Sequence, residues 1–126
     1  MVTVGHLMKQ ELVTVEAGTS VVEAAKLMKT NNVESVLVSR QAQIIGIVTE
    51  SDVVKKFVGA EKVPYFVRVE EIMSPVPRIE ERRPLTEAAD LMDKQRTLHL
   101  GVTKAGALIG LVSVRDFLRP VSLDEF

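Results

Sequence analysis

Cysteine and tryptophan are absent from the 126 residues, and aromatic residues amount to only 4%. Without cysteine there is no disulfide, no thiolate nucleophile and no structural zinc site of the cysteine type. The two histidines, His6 and His99, stand far apart in the chain, which argues against a histidine-based metal centre. An excess of one charge is missing too. A formal net charge of −1 gives no global attraction to phosphate backbones or anionic lipid, so nucleic acid is not indicated. Apolar runs are no longer than about Ile44–Val48, far short of the roughly 20 residues of a membrane span. The amino end does not read as basic segment, apolar segment and cleavage site, so a cytoplasmic protein is the expectation. What is present is 46% hydrophobic and 26% charged residues, the balance of a soluble globular chain. Its core must come from Val, Leu, Ile, Ala and Met.

The chain repeats itself. GIVTESD (Gly46–Asp52) returns as GLVSVRD (Gly110–Asp116), and VVEAAKLM (Val21–Met28) as LTEAADLM (Leu85–Met92). VGHLM (Val4–Met8) matches VEEIM (Val69–Met73) with a spacing longer by one, so one residue is lost between Met73 and Ile79. The boundaries read as a first repeat over 1–58, a connector over 59–68, a second repeat over 69–121 and a short acidic tail, 122–126. Val21, Ala24, Ala25 and Met28 fall on one helix face, as do Leu85, Ala88, Ala89 and Met92. Ser20 with Glu23 forms a capping-box start, and Pro84 suits the first helical position. Strands are expected at Val33–Ser39 and Ile44–Val48, then at Leu98–Thr103 and Leu108–Val112. Short strands precede the helices around Leu12–Val15 and Arg78–Glu80, and second helices open at Glu50–Val58 and Val114–Leu118.

Each half therefore reads β-α-β-β-α, an α/β (α+β) fold of two intertwined repeats. A half of about 60 residues buries only roughly 60% of its unfolded surface. Packing the halves together with approximate twofold symmetry would give one folded unit with two equivalent clefts, and neither half folding alone.

The repeated hydroxyl-x-x-aspartate admits two readings. Thr49 with Asp52, and Ser113 with Asp116, lie where strand gives way to helix, the spacing of a capping box worth about 1 kcal/mol. The same carboxylate, if exposed, can accept two hydrogen bonds at once and suits a vicinal diol such as a ribose 2′,3′ pair. Helix-start N–H groups favour an anionic ligand nearby.

Taken together, VTV…TSVVEAAKLM, VESVLVS and GIVTESDVV, with IM…LTEAADLM, TLHLGVT and GLVSVRDFL, make the chain resemble a tandem pair of cystathionine-β-synthase-type (CBS) domains, a Bateman module. The resemblance covers both halves in register. It implies the CBS-pair fold and clefts between the repeats that bind adenosine-containing ligands: AMP, ADP, ATP or a related adenosyl compound. It implies that Asp52 and Asp116 take ribose hydroxyls, that Thr49 and Ser113 contact ribose or phosphate, and that Ile47 and Leu111 lie against sugar or base. Met8, Val13 and Val33 would serve the cleft closed by Asp116. Met73, Pro77 and Thr97 would serve the one closed by Asp52. His99 and Arg115 would bind phosphate. By the same resemblance the module pairs into a homodimer through the Val53–Val58 and Phe117–Val121 helices and signals to an effector protein that the sequence does not name.

Departures from the family pattern accompany the match. Leu37 and Gly101 stand where the strand often carries proline. Ser39–Arg40 and Thr103–Lys104 stand where an acidic residue often follows it. Gly101 implies a looser or wider cleft in the second repeat, and Pro75, Pro77 and the lost residue reshape the wall beside Asp52. The two sites are therefore expected to be unequal. The leading reading is a stand-alone regulatory module with an adenosyl ligand and no catalytic cofactor. The alternative is an oligomerisation or interaction module of the same fold with no small-molecule ligand. An enzyme is not expected, because there is no nucleophile–base pair and no metal cluster, and GIVTESD lacks the P-loop frame.

Overall fold

The computed structural model describes residues 1–118. The acidic tail and the last residues of the Phe117–Val121 segment lie outside the described residues. The first copy runs α1 (Val4–Leu7), β1 (Thr14–Glu16), α2 (Val21–Asn31), β2 (Ser35–Arg40), β3 (Gln43–Thr49) and α3 (Glu50–Asp52), which continues as a π-helical segment over Val53–Val58. A single 3-10 turn at Val69–Glu71 opens the second copy. It is followed by β4 (Arg78–Glu80), α4 (Leu85–Gln95), β5 (His99–Lys104), β6 (Ala107–Ser113) and α5 (Val114–Leu118). The expected β-α-β-β-α order is present in both copies.

Local chemistry sets these elements. Ser20 caps α2, its Oγ accepting the Glu23 N–H at 3.1 Å, but the Glu23 carboxylate turns to Lys26 instead of back to the cap. The capping box there is half made. Pro84 stands one place earlier than expected, at the cap of α4 and not inside its first turn. Both helices stop on a left-handed residue, Asn32 and Arg96, each with φ of 52°. Their N–H groups close back on the last carbonyls, the usual way to satisfy a helix end. The hairpin turns place Gln41 and Ala42, and then Ala105 and Gly106, at positive φ, which matches the twist of two-residue hairpins.

Each copy folds a three-stranded sheet, β1-β2-β3 and β4-β5-β6, with the first pair parallel and the second antiparallel. A register shift interrupts the hairpin at Val38/Ser39 and again at Val102/Thr103, so even the irregularity is duplicated.

The compact units cut across the repeats. Among the described residues, one comprises Leu12–Pro75; the other comprises Met1–Glu11 with residues 76–118. In the first unit the core of Val15, Val21, Ala24, Met28, Val36, Val38 and Val48 is completed by Val67, Val69 and Ile72. In the second, Ile79, Ala88, Met92, Leu100, Val102 and Val112 are completed by Val4 and Leu7. The segment that opens each sequence repeat thus supplies apolar side chains to the sheet of the other repeat.

Backbone pairing fixes these segments. Ser74 and Ile47 exchange N–H···O bonds of 2.8 and 2.9 Å, and Lys9 and Leu111 exchange bonds of 2.8 and 3.0 Å. Further back, the Gly18 N–H donates to the Glu70 carboxylate at 2.9 Å. Glu70's own amide, and then that bond, hold its carboxyl below the ordinary value against the opposing effect of burial, with Arg40 and Arg68 adding smaller pulls downward.

Close approach explains the repeated glycine. A Cβ at Gly46 would lie 2.5 Å from Met73 Sδ, and one at Gly110 would lie 2.5 Å from Met8 Sδ. Interior strand glycines mark such approaches. Gly46→Ala should therefore cost about 1–3 kcal/mol of stability by overpacking. In urea titrations, its loss combined with that of Met73→Ala should be smaller than the sum of the two single losses, because the methyl enters vacated space. A Gly46→Ala midpoint equal to the parent's would contradict the contact.

Candidate functional site

The hydroxyl-x-x-aspartate copies sit at the two strand-to-helix junctions, β3 to α3 and β6 to α5. Neither carboxylate is exposed, contrary to the geometry a projecting diol acceptor would need: Asp52 retains 5% and Asp116 4% of its accessible surface. Each folds one oxygen onto its own cap. Asp52 Oδ2 accepts the Thr49 N–H at 3.0 Å and the Thr49 hydroxyl at 3.1 Å, while Thr49 Oγ1 accepts the Asp52 N–H at 3.1 Å. Asp116 Oδ2 accepts the Ser113 N–H at 2.8 Å and its hydroxyl at 3.3 Å. The capping box is complete at Thr49 and Asp52, whereas at Ser113 and Asp116 the bonds run to the carboxylate alone.

The second oxygens differ. Asp52 Oδ1 accepts the Ser74 hydroxyl at 2.8 Å and pairs with Lys56 Nζ at 2.9 Å. Lys56 also donates to Ser74 Oγ at 3.1 Å and to the Ile72 carbonyl at 3.2 Å. Position i+4 on the continuing helix brings the ammonium over the carboxylate, and the Ser74–Ile47 pairing brings the hydroxyl. Asp116 Oδ1, by contrast, makes no hydrogen bond or ion pair among the described residues. A carboxylate oxygen carries two lone pairs, so among the described residues Asp116 keeps acceptor capacity that Asp52 has used.

The other candidate residues are distributed as follows. Ile47 is buried and pairs with Leu37; half-buried Leu111 pairs with Gly101. Met73 lies over Gly46 in the unit of Asp52, and Met8 over Gly110 in the unit of Asp116. Val13 and Val33 pack on the core that carries Asp52, whereas Pro77 and Thr97 belong to the unit of Asp116. Each of these four shares a unit with the carboxylate other than the one assigned to it. The Pro77 carbonyl accepts the Gly101 N–H at 2.8 Å, and Thr97 Oγ1 donates to the His99 carbonyl at 3.1 Å. His99 is buried in β5, while Arg115 is exposed beside Asp116.

Gly101 does not widen its surroundings. A Cβ there would meet Leu108 Cδ1 at 2.6 Å and Val76 Cγ1 at 3.1 Å, so neighbouring side chains fill the space. An apolar hollow of about 360 Å³ opens elsewhere in the same unit, lined by Ala89, Met92, Asp93, Arg96, Thr97, Leu98, Val114 and Phe117. It contains neither Ser113 nor Asp116. Ser74, Lys56 and Lys9 are the residues that reading the repeat alone did not single out. The signal for Lys56 is its i+4 offset from Asp52; for Ser74 and Lys9 it is their position directly after the matched methionines.

Among the described residues no group of three or more His, Asp or Glu could hold a metal ion, and no helix is long and apolar enough to cross a membrane.

Comparison with known proteins agrees with this architecture. The family model of the CBS domain matches residues 4–59 and 69–122. A putative signal-transduction protein with CBS domains from Burkholderia ambifaria superposes with a TM-score of 0.86 at 35% identity, over 93% of this chain and 91% of that one. The CBS domain pair of protein MJ0100, solved with 5′-methylthioadenosine and S-adenosyl-L-methionine, superposes with a TM-score of 0.80 at 23% identity, over 94% of each chain. The uncharacterized protein MK0525 of Methanopyrus kandleri is 35% identical over 94% of this chain. The chain spans 62% of that relative's own length.

The different second oxygens have a consequence for stability. Asp116→Ala removes a cap and should cost about 1 kcal/mol. Asp52→Ala also strands the Ser74 hydroxyl and should cost roughly 2–3 kcal/mol, with little added by half-exposed Lys56. Chemical denaturation of the two variants checks this, and equal losses would contradict the hydrogen-bond assignment.

Proposed function

The chain belongs to the CBS-domain family, carrying the domain twice, and from that premise we propose that it is a regulatory module binding an adenosine-containing ligand. The single observation that carries the reading is Asp116. It is held rigidly by its cap through one oxygen and keeps acceptor capacity on the other for a ribose hydroxyl. A buried, preoriented carboxylate accepts such a bond more strongly than a solvated one. The ribose lies against Ser113, Asp116 and Leu111, with Met8 beneath. Exposed Arg115 meets a phosphate or other anionic group, and His99 adds polar character to the wall. Asp52, Thr49, Ile47 and Met73 repeat the arrangement in the other copy. The adenosyl ligands of the MJ0100 pair support the chemical class and leave the particular compound to experiment. Occupancy biases a partner protein in so far as the ligand binds two arrangements of the module with different affinity.

A second reading is favoured by one feature. Val54, Val58, Val114 and Leu118, on the helices that follow the two sites, are exposed to between 36 and 78%, and the apolar hollow lies beside α5. A module that associates through these helices, as a homodimer, and carries no small molecule would show the same surface.

Thermal unfolding in the presence of AMP, ADP, ATP, NAD, 5′-methylthioadenosine and S-adenosylmethionine separates the two. At a ligand concentration 100-fold above Kd the native state gains about 2.7 kcal/mol, which moves Tm upward by roughly 10 °C. We expect at least one compound to do so, with the shift abolished in Asp116→Asn. A flat response to all six from folded protein contradicts ligand sensing and leaves association as the function.

A further inference from the structure

Resting on that reading of the site, we propose that the module takes one nucleoside per chain and not two: the Asp116 copy is the binding site, and the Asp52 copy is closed by the chain's own Lys56 and Ser74. The duplicated motif alone would imply two equal sites. The side chains around it break the equivalence.

At Asp52, both hydrogen-bond donors that a diol would contribute have internal counterparts. The Ser74 hydroxyl stands at 2.8 Å and the Lys56 ammonium at 2.9 Å from the same oxygen. These two groups also bond to each other at 3.1 Å, and Lys56 is anchored further by the Ile72 carbonyl. A ribose entering here must displace a charge-assisted bond to a buried carboxylate, with no new acceptor provided for the displaced serine. Such an exchange yields little net free energy, because each bond made replaces one of similar strength.

At Asp116 neither counterpart is found among the described residues. In sequence, the position matching Lys56 is Pro120, whose side chain carries no N–H or O–H. The register counterpart of Ser74 is Lys9, which pairs through its backbone with Leu111 as Ser74 does with Ile47. No side-chain hydroxyl is delivered there, and among the described residues the Lys9 ammonium makes no ion pair with Asp116. Lys9 is exposed. An acceptor without a donor among the described residues, in a unit whose Lys9 is exposed on the segment paired with Leu111, fits a ligand with a diol at one end and an anionic group at the other. Lys56 and Ser74 are thus selectivity residues: they act by occupying a carboxylate.

Isothermal titration of the full chain with AMP and, separately, with S-adenosylmethionine tests this. We expect one equivalent bound per native chain and none for the 2′,3′-dideoxy form of AMP. The double variant Lys56→Met/Ser74→Ala should bind two, the second being lost again on adding Asp52→Asn. Two equivalents on the native chain would overturn the inference while upholding the nucleoside reading, as would a double variant that stays at one. A single native equivalent that survives in Asp116→Asn and disappears in Asp52→Asn would overturn the assignment of the open copy. No binding to any form is the distinct outcome that removes the nucleoside reading itself. The native stoichiometry needs no substitution, so the inference stays testable should a variant fail to fold.

Discussion

The structure depends on a methionine lying against a strand glycine, once in each unit. Met73 Sδ occupies the place a Cβ of Gly46 would need, and Met8 Sδ that of Gly110. An unbranched thioether suits this position because it is polarizable and adapts to an irregular surface. The contact and the adjoining backbone pairs seat the opening segment of one repeat on the final strand of the other. Neither sheet has a complete core without the segment it receives: Val69 and Ile72 close one, Val4 and Leu7 the other. A repeat cut at its own sequence boundaries would therefore be short of apolar contacts, which agrees with the weak burial available to about 60 residues.

The same seating has a chemical consequence. The residue after each methionine pairs with the strand two positions before the capping hydroxyl, and so lies beside the aspartate. Serine there donates to Asp52; lysine there leaves Asp116 without that donor. A side chain set by a segment far from the motif in sequence thus supplies Asp52 with one internal donor that Asp116 lacks among the described residues. The π-helical continuation after Asp52 carries Lys56 to the same oxygen, so two independent elements converge on one acceptor. Unequal sites were expected from the strand departures, and one of those departures does not act as expected. Gly101 opens no space, since Leu108 and Val76 fill it.

Much of the architecture was legible in the sequence because hydrophobic period and turn chemistry are local. The α2 face of Val21, Ala24 and Met28, the paired hairpins and the capping hydroxyls all follow from short-range pattern. The exchange of segments was not legible in the same way. Matching VGHLM to VEEIM establishes that the two are equivalent without telling which sheet each covers, since either choice buries the same residues. The interior glycines pointed to a close approach, yet not to its partner. The caps were legible as one of two readings, which do not exclude each other chemically: a carboxylate has enough lone pairs to cap a helix and still accept a ligand. Only the coordinates separate Asp52, with both oxygens engaged, from Asp116.

The central claim is that Asp116, and not Asp52, has a carboxylate oxygen open to a ribose. A crystal structure of the chain grown with AMP tests it most directly. The account predicts nucleoside density with a ribose hydroxyl within hydrogen-bond distance of Asp116 Oδ1, and Lys56 and Ser74 still on Asp52. Density beside Asp52 with Asp116 unoccupied would contradict it.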